Sequence, residues 1–140
     1  MTIHLNPYLG FKGNAREAIE FYQSVFGGEL TINTFAELHA SQDPAEDDLV
    51  MHSALVTSNG LRLMASDTPD RMTYNPGDTI TMSLVGDLKD QGTLEGYWGK
   101  LVEGGTVTSP LAKAVWGDTF GTCVDQFGIG WLVNIAGSAP

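Results

Sequence analysis

At 140 residues, 42% of them apolar, the chain has the length of one domain or of two half-size units sharing a core. Its 17 acidic against 7 basic residues leave a net charge of −10, which argues against nucleic acid or an anionic membrane as partner and would draw a cationic ligand. There is no apolar run of about 18 residues to span a membrane, the start MTIHLNPYLG lacks the regions of a signal peptide, and the single cysteine, Cys123, forms no internal disulfide, so a cytoplasmic protein is expected.

PYLGFKG reads as a strand with Pro7 at its edge. NAREAIEFYQSVFGGEL follows as a helix, with Asn14 as N-cap, Glu17 completing a capping box and Gly27 ending it. Its apolar face is Ala15, Ala18, Ile19, Tyr22, Val25 and Phe26. ELTINTFAEL, LVMHSALVTSNG and LRLMASD are strands, the last two joined by a two-residue hairpin at Asn59-Gly60. SDTPDRMTYNPGD is irregular chain. TITMSLVGD is again a strand and GTLEGYWGKLVEGG again a helix. Gly92, Gly96 and Gly99 each cost that helix roughly 1 kcal/mol relative to alanine, so packing must hold it, with its small residues close to the sheet. TVTSPLAKAV, DTFGTCVD and GWLVNI are the closing strands.

The order βαβββ thus occurs twice: module one at about 3–67, a linker at 68–78 and module two at about 79–137. The fold class is α+β, two tandem βαβββ modules forming curved, partly open barrel-like sheets with helices outside, and two such halves side by side leave a cleft. Tyr8, Phe11, Met51, Met64 and Met82 are candidates to line it, since aromatic and methionine linings adapt to apolar ligands. His52 is a candidate general base or hydrogen-bond donor, against the alternative of a structural histidine; His39 is expected in solvent. Asp67 offers a carboxylate to the pocket or closes a turn.

In WGDTFGTCVDQFGIGW, alternation sends Trp116, Phe120 and Trp131 toward whichever face is buried, as an aromatic wall to the ligand or as core and dimer packing. Gly117 and Gly121 permit close backbone approach, and Asp125 and Gly128 suit a hairpin. Asn134 supplies a neutral polar contact or satisfies a backbone group. Cys123 reads as a small buried hydrophobe. The acidic stretch SQDPAEDDL, residues 41–49, is a solvated loop or an acidic lid.

PYLGFKGNAREAIEFYQSVFGGEL, LRLMASD and WGDTFGTCVDQFGIGWLVNI resemble the opening, mid-chain strand and closing block of the PhnB-like branch of the glyoxalase/bleomycin-resistance/dioxygenase (vicinal oxygen chelate) superfamily. The resemblance implies the fold and a homodimer. Metal-dependent members place His and Glu ligands on the first and fourth strands of each half. This chain has Pro7 at the first such place, with His4 three residues earlier, and Met64, Ala65 and Ser66 ahead of Asp67 at the second. Thr79, Thr81 and Ser83, then Leu132, Val133 and Asn134, stand at the other two. No metal site is expected and no cofactor; a divalent metal is disfavoured. Some relatives are labelled demethylubiquinone methyltransferases, but the chain has no glycine-rich strand-to-helix motif for a nucleotide-like methyl donor. The expectation is a cytoplasmic small-molecule-binding protein. Two alternatives stand beside it: a metal-dependent or His52-dependent enzyme of the lyase, isomerase or dioxygenase type, and a protein that sequesters a cationic drug.

Overall fold

Ala15, Ala18, Ile19, Tyr22, Val25 and Phe26 recur at helical spacing, and in the computed structural model, which describes residues 3–137, they form the buried face of α1 (Ala15–Phe26). The chain divides between Pro76 and Gly77 into two units, each with one sheet. In the first, β1 (Tyr8–Phe11), β2 (Glu29–Thr34), β3 (Val50–Val56) and β4 (Arg62–Asp67) lie in the order β1-β4-β3-β2. Only β1 and β4 run parallel. Phe11, Leu55, Leu63 and Ala65 are buried with α1, and the Ser53 hydroxyl among them donates to the Ala65 carbonyl at 2.7 Å. Each large apolar side chain buried there contributes about 1.5–3 kcal/mol.

The start of α1 differs from expectation. Asn14 occupies the N-cap position, but its side chain makes no capping hydrogen bond. Asp67 caps instead: its Oδ1 accepts from the Gly13 and Ala15 amides and its Oδ2 from the Val50 amide, each at 2.9 Å. The cause is the parallel pairing, which sets Asp67 opposite Phe11, where β1 ends and the chain turns toward the helix.

The second unit orders its strands β5-β8-β7-β6, from β5 (Thr81–Gly86), β6 (Thr106–Lys113), β7 (Thr119–Val124) and β8 (Gly130–Ile135). β5 and β8 are parallel; the edge strand β6 carries Pro110 and has an irregular register. α2 (Gln91–Leu101) buries Leu94 and Leu101, and Leu94 joins Val133 and Ile135 in a core flanked by Leu84, Tyr97, Trp98 and Leu111. Gly92, Gly96 and Gly99 do not bring this helix to the sheet, because a Cβ at any of them would meet nothing within 4 Å. The close approach occurs at Gly121, where a Cβ would lie 2.9 Å from the Trp98 ring. Gly96→Ala and Gly99→Ala are therefore expected to stabilise the protein by up to about 1 kcal/mol each, read from urea denaturation; a loss of stability would show that these positions make contacts.

The two units close their strands alike. The Asn59-Gly60 turn is a three-residue loop rather than the two-residue hairpin expected: Thr57 N donates to Leu61 O, Gly60 N donates to Thr57 O, and only Gly60 takes a positive φ, of 90°. Asp125–Ile129, around Gly128, and Ala114–Asp118, around Gly117, repeat that pattern. Gly28 and Gly105 also correspond, since a Cβ on either would lie within 2.5 Å of the carbonyl oxygen of Val56 or Val124 respectively. Two four-stranded mixed sheets, each with one α-helix, make the α+β fold expected; among the described residues neither closes into a barrel.

Candidate functional site

A sheet covered by one helix buries alternate side chains and leaves the others on its second face. On the first unit that face carries Tyr8, Met64, Ala54 and, beyond them, Ser66, His52 and Asn33. Tyr8 is paired with Met64, Met64 with Ala54, and His52 with Asn33. A bulge between β2 and β3 shapes it: Asn33 pairs with His52 but the next residue, Thr34, pairs with Val50. The extra residue, Met51, is exposed beside half-buried His52, while Val50, Ser53 and Leu55 stay buried.

Reaching across β4, the Tyr8 hydroxyl lies 3.0 Å from His52 Nδ1, with the ring centroids 5.7 Å apart. Two arrangements fit this distance. When the phenol donates to Nδ1, Nε2 carries the proton and points a donor outward; when Nδ1–H donates to the phenol, Nε2 presents a lone pair. Among the described residues the His52 side chain makes no other hydrogen bond, so Nε2 remains available to a ligand in either case.

The other expected contacts divide between the two faces. Phe11 is 2% exposed and Asp67 4%, both on the helix-facing side, where one is core and the other the cap of α1. Met51 and Met64 reach the helix-free face. In the second unit Phe120 and Asn134 form a cross-strand pair on the helix-free face. Trp131, paired instead with Cys123, is 1% exposed on the opposite side and donates its indole N–H to Asp125 Oδ2 at 2.8 Å. Trp116, 61% exposed in the turn before β7, meets Phe120 edge to face at 5.6 Å. The three aromatic side chains therefore do not make one wall. Burial, with a smaller contribution from nearby Asp125, pushes the Cys123 thiol up to about 11, so it is a neutral core group.

Asp118 is the residue that sequence reasoning missed. It closes the Ala114–Asp118 turn, accepts from the Gly137 amide at 2.9 Å and accepts from Asn134 Nδ2 at 3.1 Å. Those bonds, Gly137 first, hold its carboxyl below the ordinary aspartate value. The available signal was an acid directly after a turn glycine and beside a tryptophan. His39 is exposed, at a left-handed φ of 56°. The acidic loop 41–49 is tied down at several points: Asp43 accepts from Ala45 N, Glu46 accepts from Asp70 N at 2.8 Å, and Ser41 bonds Asp47. With Lys12, which pairs with Asp70 at 3.0 Å, it borders a shallow concavity of about 230 Å³.

The metal that the resemblance to metal-dependent proteins would imply does not fit these residues. On the helix-free faces, the first and fourth strands of the two units present Tyr8, Met64 and Ser66, then Thr81, Ser83, Leu132 and Asn134. None supplies an imidazole or a carboxylate, and the oxygens of Asp67 are engaged by backbone amides on the other side. Among the described residues no group of three or more His, Cys, Asp or Glu side chains gathers to hold an ion. No described helix is long and apolar enough to cross a membrane.

A family model described as 3-demethylubiquinone-9 3-methyltransferase matches residues 4–134. The chain is similar to protein PA1353 from Pseudomonas aeruginosa, at 35% identity and a TM-score of 0.78 over 96% of this chain and 98% of that one. It is similar also to the PhnB protein from Bacillus cereus, at 24% identity and a TM-score of 0.70 over 96% and 100%. A glyoxalase/bleomycin resistance protein/dioxygenase family enzyme from Burkholderia phytofirmans shares the fold, at 11% identity and a TM-score of 0.59 over 94% and 96%.

Proposed function

The chain belongs to the 3-demethylubiquinone-9 3-methyltransferase family, the PhnB-like branch of the glyoxalase/bleomycin-resistance/dioxygenase superfamily, and on that premise we propose that it binds a small molecule at the Tyr8–His52 pair. The observation that carries the reading is the 3.0 Å bond between two polar side chains on a helix-free sheet face, with Nε2 left over and Met64 beside Tyr8. A ring, a thioether and an unspent polar atom are the elements of a site for an apolar molecule with one polar handle.

Methyl transfer, which the family description names, needs a second site for the donor. Neither strand-to-helix connection supports one. At the start of α1 the Gly13 and Ala15 amides already bond Asp67, and before α2 the short turn Leu88–Asp90 is capped by Asp87 and Asp90. Binding is therefore the first reading. The unspent Nε2 favours a second, in which His52 takes a proton from the bound molecule.

Ligand-observed NMR with neutral and cationic aromatic fragments, run against the wild type, Tyr8→Phe and His52→Gln, tests the binding site. Loss of one hydrogen bond in the site is expected to weaken the hits by about threefold to tenfold in each variant, with circular dichroism unchanged. Hits that bind both variants as tightly as the wild type would overturn the assignment. A product formed by the wild type and not by His52→Gln would select the catalytic reading.

A further inference from the structure

We infer that Trp116, Asp118 and Phe120 form a subsite for an organic cation carrying N–H donors, a primary ammonium or an amidinium. This subsite does not depend on the Tyr8–His52 proposal. Three observations carry it. Trp116 is 61% exposed yet held in place, edge to face on Phe120 at 5.6 Å, so an aromatic surface is offered to solvent in a defined orientation. Asp118 beside it is positioned by neutral donors, the Gly137 amide on Oδ1, Asn134 Nδ2 on Oδ2 and the Trp116 side chain, and no lysine or arginine pairs with it among the described residues. Three donors on the four lone-pair sites of a carboxylate leave room for a further donor.

The third observation is rigidity. Gly117 turns the chain at a φ of 99°, and Gly137 lies so close that a Cβ there would sit 1.9 Å from the Gly117 carbonyl oxygen. The turn, the end of β8 and the following residues therefore hold the carboxylate before any ligand arrives. An aromatic face next to an unneutralised carboxylate recognises a cation twice over, by the ring quadrupole and by charge-assisted hydrogen bonds. The net charge of −10 raises the local concentration of such ligands. Because its bonds hold the Asp118 carboxyl below the ordinary aspartate value, the anion, and with it binding, persists as pH falls through that range.

The test uses the full, ¹⁵N-labelled chain, titrated at low salt with benzamidinium and with its neutral counterpart benzamide. The Trp116 indole signal is assigned by its disappearance in Trp116→Leu. Benzamidinium is expected to move the Trp116 indole and Gly137 amide signals, to bind at least about tenfold more tightly than benzamide, and to weaken with added salt. Asp118→Asn is expected to lose at least about tenfold in benzamidinium affinity. Trp116→Leu, which removes the ring and its own bond to Asp118 but leaves the Gly137 and Asn134 bonds in place, is expected to weaken binding too and serves if Asp118→Asn does not fold. Equal affinity for benzamide, shifts confined to other residues, or full binding by a folded Asp118→Asn would each overturn the subsite.

Discussion

Asp67→Ala is expected to destabilise the protein by about 3 kcal/mol or more, the largest effect of any single polar substitution in the first unit. The side chain is 4% exposed and accepts from the Gly13, Ala15 and Val50 amides. Alanine leaves buried N–H groups without an acceptor, at about 1–3 kcal/mol each where water does not reach, and removes the side-chain cap that Asp67 gives the start of α1, worth about 1 kcal/mol. Asp67→Asn preserves shape and one acceptor oxygen, but its NH₂ then faces an N–H, so an intermediate loss is expected. Urea denaturation followed by circular dichroism reads both. A loss below about 1 kcal/mol for the alanine variant would show that the amides find other partners.

The second large effect lies at Asp125. Its Oδ1 accepts from the Phe127 and Ile129 amides at 2.8 and 3.1 Å, and its Oδ2 from the Trp131 indole at 2.8 Å. The carboxylate pins the β7–β8 hairpin and satisfies the one polar atom of a tryptophan that is 1% exposed. Asp125→Ala is expected to cost about 3 kcal/mol, since it strands the indole N–H in the core as well as loosening the turn. Asp125→Asn still offers an oxygen to the turn amides but sets its NH₂ against the indole, so a loss of about 1–2 kcal/mol is expected. Trp131→Phe removes the opposing donor. Combined with Asp125→Asn it should therefore cost less than the two single variants summed, in a double-mutant cycle by urea denaturation. Strict additivity would mean that the indole bond contributes nothing.

Both aspartates show where reading the sequence reaches its limit. The repeat, the buried stripe of α1 and the seven later strands rest on local periodicity, and each is found where the pattern puts it. Asp67 was legible only as a strand-ending acid that enters a pocket or closes a turn. Its partners are residues 13 and 15, brought to it by a parallel pairing that no local pattern encodes. Asn14, a strong N-cap by residue type, makes no capping bond, and the side chain that meets the helix start is Asp67, on the Gly13 and Ala15 amides. In the same way, the face on which an aromatic ring lies depends on register. Trp131 pairs with Cys123 beneath the helix, whereas Phe120 pairs with Asn134 on the other side. The bulge at Met51 shifts β3 by one residue, so simple alternation misplaces a side chain there. His52, Tyr8 and Met64 were each visible as isolated candidates; only the strand order β1-β4-β3 brings them together.

The central claim, a small-molecule site on the helix-free face at Tyr8 and His52, is tested most directly by methionine methyl NMR. The chain has five methionines. Met51 and Met64 stand on that face, whereas Met82 lies on the helix-facing side of β5. Adding the tightest fragment from the screen is expected to shift the Met64 and Met51 methyl signals and leave Met82 in place, and Tyr8→Phe should reduce those shifts at equal fragment concentration. Unmoved Met64 and Met51 signals at saturation would contradict the claim and place the binding elsewhere.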